Sequence, residues 1–172
     1  MAVRALAARE GAPAPIPRFR GLYSIVRLGE HTVGLLTPET YMNGSGESVV
    51  QALAAHPALE PARLLVVHDD LDLPLGRLRL RGAGGAGGQR GLADVLDRLG
   101  TREVPRLRIG IGRPPEGMAV RDWVLSEFAA GESEPLRDTL DRAADAMQGW
   151  ALHGLDRTMD VVNRAATADE AG

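Results

Sequence analysis

Leu64 to Val67 is a short, uninterrupted apolar run with β-branched residues, and it is followed by three acids within four positions, Asp69, Asp70 and Asp72. A run of that kind reads as a strand covered on both faces, because a half-solvated strand would alternate apolar and polar residues. Covering both faces takes layers on either side. The segments around it supply them. Ser45 to Ala55, Gly91 to Leu99 and the stretch from Glu134 onward carry apolar or small residues at helical spacing. In the last of these, Leu136, Leu140, Ala144, Met147 and Ala151 are separated by steps of four and three, with Ser133 as a cap and Gly154 just past the end. Leu22–Val26 and Thr32–Leu36 read as a hairpin around Gly-Glu-His, and Gly76–Gly82 and Arg106–Gly112 as alternating strands. Helices interleaved with strands predict an α/β fold, a mixed twisted sheet flanked by helices. At 172 residues, 44% of them hydrophobic, a single domain over 1–172 is expected, with a small, polar, disordered tail from Ala165.

The same numbers narrow the chemistry. No apolar run approaches the roughly 18 residues needed to cross a bilayer, and Met1 to Glu10 lacks the pattern of a secretory signal, so a cytoplasmic protein is expected. Without cysteine, neither a disulfide framework nor a thiolate nucleophile is available. The net charge of −3 hides an asymmetry. Between Arg77 and Arg113 stand nine arginines and three acids, a local balance of +6. On the alternating strands Arg77, Arg79 and Arg81 share one face, as do Arg106 and Arg108. Such faces suit a nucleic-acid backbone, where charge supplies most of the affinity, although each arginine taken singly reads as an ordinary solvated charge. Every basic residue is arginine, a bias that a GC-rich genome also produces.

Three further sites stand out. Asp69 ends the apolar strand, where open α/β sheets place their sites, and a carboxylate there can orient a histidine that acts as general base. The alternative is a hydrated acidic turn before Pro74, which we assign to Asp70 and Asp72. Asn43, in Thr40-Tyr41-Met42-Asn43-Gly44-Ser45-Gly46, offers donor and acceptor on a short side chain at a strand-to-helix connection; alone it would read as a turn residue. Gly82 to Gly91 holds six glycines in ten positions, which suggests backbone amides exposed near a large ligand, or a plain hinge. It matches neither a phosphate-binding loop nor a dinucleotide fingerprint.

These blocks, with Val67-His68-Asp69-Asp70-Leu71-Asp72-Leu73-Pro74, Gly84-Gly85-Ala86-Gly87-Gly88-Gln89-Arg90-Gly91-Leu92 and Arg106-Leu107-Arg108-Ile109-Gly110-Ile111-Gly112, closely resemble the bacterial-type peptidyl-tRNA hydrolases over about residues 14–160. The resemblance implies hydrolysis of the ester between a peptide and tRNA, with no metal and no other cofactor. It gives Asp69 the role of catalytic carboxylate, Tyr41, Asn43 and Arg90 that of substrate binding, and Arg81 and Arg108 contacts to tRNA phosphates. The partner implied is peptidyl-tRNA, with no membrane, and the chain is expected to be a monomer. Most members of the family end the glycine loop with His-Asn-Gly, where Gln89 and Arg90 stand here. They also begin with a strand leading into Gly-Asn-Pro-Gly and a Thr-Arg-His-Asn loop bearing the catalytic histidine. On this reading residues 1 to about 13 are the remnant of the following helix, the first strand is missing, and none of His31, His56, His68 and His153 stands at the catalytic position. The chain as written is then expected to have little hydrolytic activity; the function implied is peptidyl-tRNA hydrolase, and the alternative is a catalytically inactive tRNA- or ribosome-associated binding module.

Overall fold

The computed structural model describes residues 1–126, 128, 131 and 133–168. Its elements are helix α1 (Ala2–Arg9), strands β1 (Ile16–Arg18), β2 (Gly21–Leu28) and β3 (His31–Pro38), helix α2 (Ser45–Ala55), strands β4 (Val66–Asp70) and β5 (Leu78–Arg81), helix α3 (Arg90–Leu99), strand β6 (Arg106–Gly110), and helices α4 (Val120–Leu125), α5 (Ser133–His153) and α6 (Leu155–Ala168). A 3-10 turn, Met42–Gly44, leads into α2, and another, Pro61–Arg63, precedes β4.

The strands form two sheets of three. One is antiparallel in the order β1-β2-β3, and the other is mixed in the order β4-β6-β5, with β4 parallel and β5 antiparallel to β6. The α/β class with a mixed sheet between helices is therefore as expected. The place of the acidic strand is not. It runs from Val66 to Asp70 rather than over Leu64–Val67, so that Asp69 and Asp70 belong to the ladder, paired with Ile109 and Gly110. Among the described residues it is an edge strand, half-buried throughout. The interior strand is β6, where Leu107 is fully buried.

The main core lies on one side of this sheet. Leu78, Leu80 and Leu107 pack with Leu6 of α1, Val26, Leu28 and Leu35 of the hairpin, and Ala143, Ala144 and Met147 of α5. A smaller core of Leu92, Leu96 and Val104, with Val66 and Leu64 against it, seats α3 on the opposite face. The two helical layers thus hold β4 and β6 between them, and α3 is fixed with its N-terminus at the C-terminal end of β4.

Helix α5 ends as its sequence predicts: Gly154 takes a left-handed conformation (φ 80) and its N–H closes on Trp150. The tail differs from expectation. Residues 155–168 form α6, whose Leu155, Met159 and Val162 pack on the main core at steps of four and three, and whose Asn163 both accepts from the Leu80 N–H (3.0 Å) and donates to the Leu80 carbonyl (3.1 Å). Asn163 thereby gives the outer edge of β5 the two bonds a further strand would have given. Of the tail expected to be disordered, only residues 169–172 lie outside the described residues.

Candidate active site

Asp69 occupies the penultimate position of β4. Alternation along the strand sends its side chain and that of His68 to opposite sides. The carboxylate Oδ1 accepts a hydrogen bond from the side-chain amide of Gln89 (3.2 Å). Gln89 is in turn the N-cap of α3, its amide oxygen accepting from the N–H groups of Gly91 (2.6 Å) and Leu92 (3.1 Å). The C-terminal end of the acidic strand and the end of the glycine-rich loop are thus joined by one side chain.

The Asn43 block reaches the same region by packing. The Met42–Gly44 turn and α2 both lie against α3. Gly46 donates its N–H to Asp94 (2.7 Å), and the approach is so close that a Cβ at Gly46 would meet the Asp94 carbonyl oxygen at 2.5 Å. Tyr41 is 90% exposed, a large apolar surface offered to solvent, and Arg90 is exposed at the first turn of α3. Two surface hollows of about 440 and 420 Å³, one beside Pro17, Arg20 and Glu39 and one beside Gly85, Leu96 and Arg102, are lined by none of Tyr41, Asn43, Asp69 and Arg90.

Of the two acids assigned to a hydrated turn only Asp72 lies in one; Asp70 instead ends β4 in the ladder, its side chain held by Arg108. Asp70 pairs with the Arg108 guanidinium and accepts from the Asp72 N–H (2.9 Å), while Asp72 pairs with Arg113. Burial raises the Asp70 carboxyl pKa, but the Arg108 hydrogen bond and charge and the Asp72 amide outweigh it, and the net is a lowered pKa. His68 lies deeper. Its Nδ1 sits 2.7 Å from the main-chain oxygen of Asp69 and its Nε2 is buried without a partner among the described residues. Burial lowers its pKa, against the opposing pull of the Asp69 backbone contact and the Asp69 and Asp70 charges, so the ring is neutral at neutral pH. No histidine ring among the described residues bonds the Asp69 carboxylate.

The arginines divide in a way their alternation does not reveal. Arg79 and Arg81 project outward from β5 opposite Arg108 and Arg106. Arg79 is crowded enough that burial, and then the charges of Arg81, Arg108 and Arg77, lower its pKa, a sign of positive potential with no internal counter-ion sufficient to cancel it. The second strand face is not open as expected. Arg106 is only 3% exposed, its guanidinium donating to the carbonyls of Gly85 and Arg102 (both 3.4 Å), so it braces the glycine-rich loop from beneath. Arg108 is held by Asp70 and is not a free cation. Sequence reasoning also passed over Gln89 as a site residue; no signal marks it, since the helix predicted over Gly91–Leu99 puts Arg90 directly before it, and only the observed start at Arg90 makes Gln89 the cap.

The family model for peptidyl-tRNA hydrolase matches residues 1–170. The chain belongs to the peptidyl-tRNA hydrolase family. It is 45% identical over 165 residues to the peptidyl-tRNA hydrolase of Symbiobacterium thermophilum, covering 95% of this chain and 87% of that one, and 41% identical over 146 residues to that of Syntrophomonas wolfei, covering 85% and 78%. The crystal structure of the Acinetobacter baumannii peptidyl-tRNA hydrolase superposes with a TM-score of 0.83 at 32% identity, over 94% of this chain and 82% of that one. The match starts at Met1, which corrects two expectations. Residues 1–13 do not stand outside the resemblance to peptidyl-tRNA hydrolases, and a lost N-terminal block is not borne out. Helix α1, packed against α5, is part of the matched fold.

Proposed function

We propose that the chain hydrolyses the ester of peptidyl-tRNA at the end of β4. The observation that carries this is the convergence on α3 of three blocks distant in sequence: the Asp69 carboxylate through Gln89, the glycine-rich loop that ends at Gln89, and the Met42–Gly44 turn. In this reading the oxygen of Asp69 not engaged by Gln89 orients the base that activates water, or the water itself, and stabilises the positive charge that develops on proton transfer. Asn43 places the ester carbonyl, Tyr41 lies against the peptide or the terminal base, and Arg90 reaches substrate from the first turn of α3, where the helix dipole favours an anion. Arg81, with Arg79, takes the acceptor-stem phosphates; Arg108 does so while shared with Asp70. The protein works as a monomer in the cytoplasm, and the reaction needs no metal, since water attacks a carboxylic ester that is already reactive.

A second reading, a tRNA-binding module without hydrolysis, is favoured by one observation: the Asp69 carboxylate bonds an amide and not an imidazole. Release of free tRNA from an N-blocked aminoacyl-tRNA separates the two. Hydrolysis that depends on Asp69 supports the enzyme, whereas tight binding with no release supports the module.

A further inference from the structure

Helix N-caps are usually Ser, Thr, Asp or Asn, whose short side chains fold back on the first turn. Helix α3 uses a glutamine, and its side chain does two things at once. The amide oxygen takes the Gly91 and Leu92 N–H groups at 2.6 and 3.1 Å, and the amide nitrogen donates to Asp69 Oδ1 at 3.2 Å. This arrangement works in one orientation only. A flipped amide would set its oxygen against a carboxylate and its NH₂ against two backbone donors, so the network fixes which end faces Asp69. Oδ2 of Asp69 accepts no hydrogen bond from a described residue, which leaves it for the reacting groups.

We propose that Gln89 is a positioning residue for the hydrolysis: it ties the Asp69 carboxylate to the N-terminus of α3, fixes its rotamer, and presents Oδ2 to the base or water. The proposal rests on the hydrolytic reading given above. A capping residue that only stabilised α3 could be any good cap. A residue that also aims Asp69 has to reach past the helix to the strand, and glutamine is long enough to do both.

Capping and aiming can be separated. Gln89→Ser keeps an acceptor for the first turn but cannot reach Asp69, and Gln89→Glu keeps the acceptor while replacing the donor with a second carboxylate. Both should unfold within about 3 °C of the parent, the scale of a small change in a domain of this size. Both should lose about tenfold or more in kcat with KM within about twofold, the pattern of a misplaced reacting group. Parent-like kcat in Gln89→Ser would overturn the proposal. A readout independent of turnover accompanies this. In the ¹⁵N–¹H spectrum the Gln89 side-chain NH₂ pair should shift in Asp69→Asn and stay in place in Asp70→Asn. If Asp69→Asn leaves it unmoved, the link does not exist in solution and the proposal fails whatever the rates. If the shift is present and the parent releases no tRNA, the link stands and it is the hydrolytic reading that falls.

Discussion

Single residues of one type meet different fates here according to depth. Arg106 and Arg81 are register partners on adjacent strands, yet one is buried beneath the glycine-rich loop and the other stands in solvent. Burial, and then the Arg108 charge, lower the Arg106 pKa, so its charge is kept at a cost that its two carbonyl contacts offset only in part, its Nε being buried with no partner among the described residues. We expect Arg106→Ala to lower the unfolding free energy by about 2–4 kcal/mol in urea titration, from lost packing and orphaned carbonyls, and Arg81→Ala to change it by less than about 0.5 kcal/mol. Equal effects would contradict the assigned burial. His68 gives a pH signature. Its folded pKa lies below the unfolded value near 6.5, so below about pH 6.5 the unfolded chain binds a proton that the folded chain does not. Stability should therefore be full at neutral pH and decline as pH falls through 6.5, and His68→Asn should flatten that limb; an unchanged limb would exclude His68 as its source. Asp70 acts lower: its stabilisation is present above the usual carboxylate pKa and is lost only as pH falls toward its lowered value. In the sequence Asp69 and Asn43 were legible as site candidates because each sits in a block of several specific residues. Gln89 was not, because a glutamine carries no signature until its two partners are known.

At the scale of elements, periodicity predicted what burial controls and missed what polar contacts control. Helix α2 runs over Ser45–Ala55 as predicted, and α5 runs to His153 with its glycine stop, because their apolar spacing matches a helix. Strand β4 begins two residues later than its apolar run suggests and extends into the acids, since Arg108 compensates Asp70 and lets the parallel ladder continue. Helix α6 covers residues 155–164, to which no element was assigned, and the first four residues of the tail expected to be disordered, although Leu155, Met159 and Val162 carry its period; Asn163 then couples it to β5 by bonds no pattern announces. The junction of α2 with α3 decides where Asn43 stands relative to Asp69, and Gly46 is its closest approach. Gly46→Ala should push the helices apart and destabilise by roughly 1–3 kcal/mol, as overpacking does, measurable as a lowered urea midpoint. Because α3 carries Gln89, the same change should disturb the Gln89 side-chain resonance. An unaffected midpoint would mean that the helices are not in tight contact.

For the whole molecule, an acidic chain of net charge −3 carries the exposed Arg79 and Arg81 on one face of the mixed sheet and Asp69 near the end of a strand of the same sheet. Reversing Arg79 and Arg81 to Glu should weaken tRNA of any sequence alike and lower the slope of log affinity on log salt by between one and two, because each lost phosphate contact removes slightly under one. Asn43→Ala should leave the slope as it is. If the double reversal alters neither quantity, the arginines are a solvated face and nothing more. The two halves of the account, phosphates on the arginines and ester at Asp69, meet in one experiment. The initial rate of release of tRNA from an N-blocked aminoacyl-tRNA is compared between the parent chain and Asp69→Asn, with binding measured in parallel. We expect hydrolysis by the parent, a loss of about a hundredfold or more in Asp69→Asn, and dissociation constants within about twofold of each other. Equal rates in the two proteins, or binding by the parent with no release, would contradict the assignment of a hydrolytic site at Asp69.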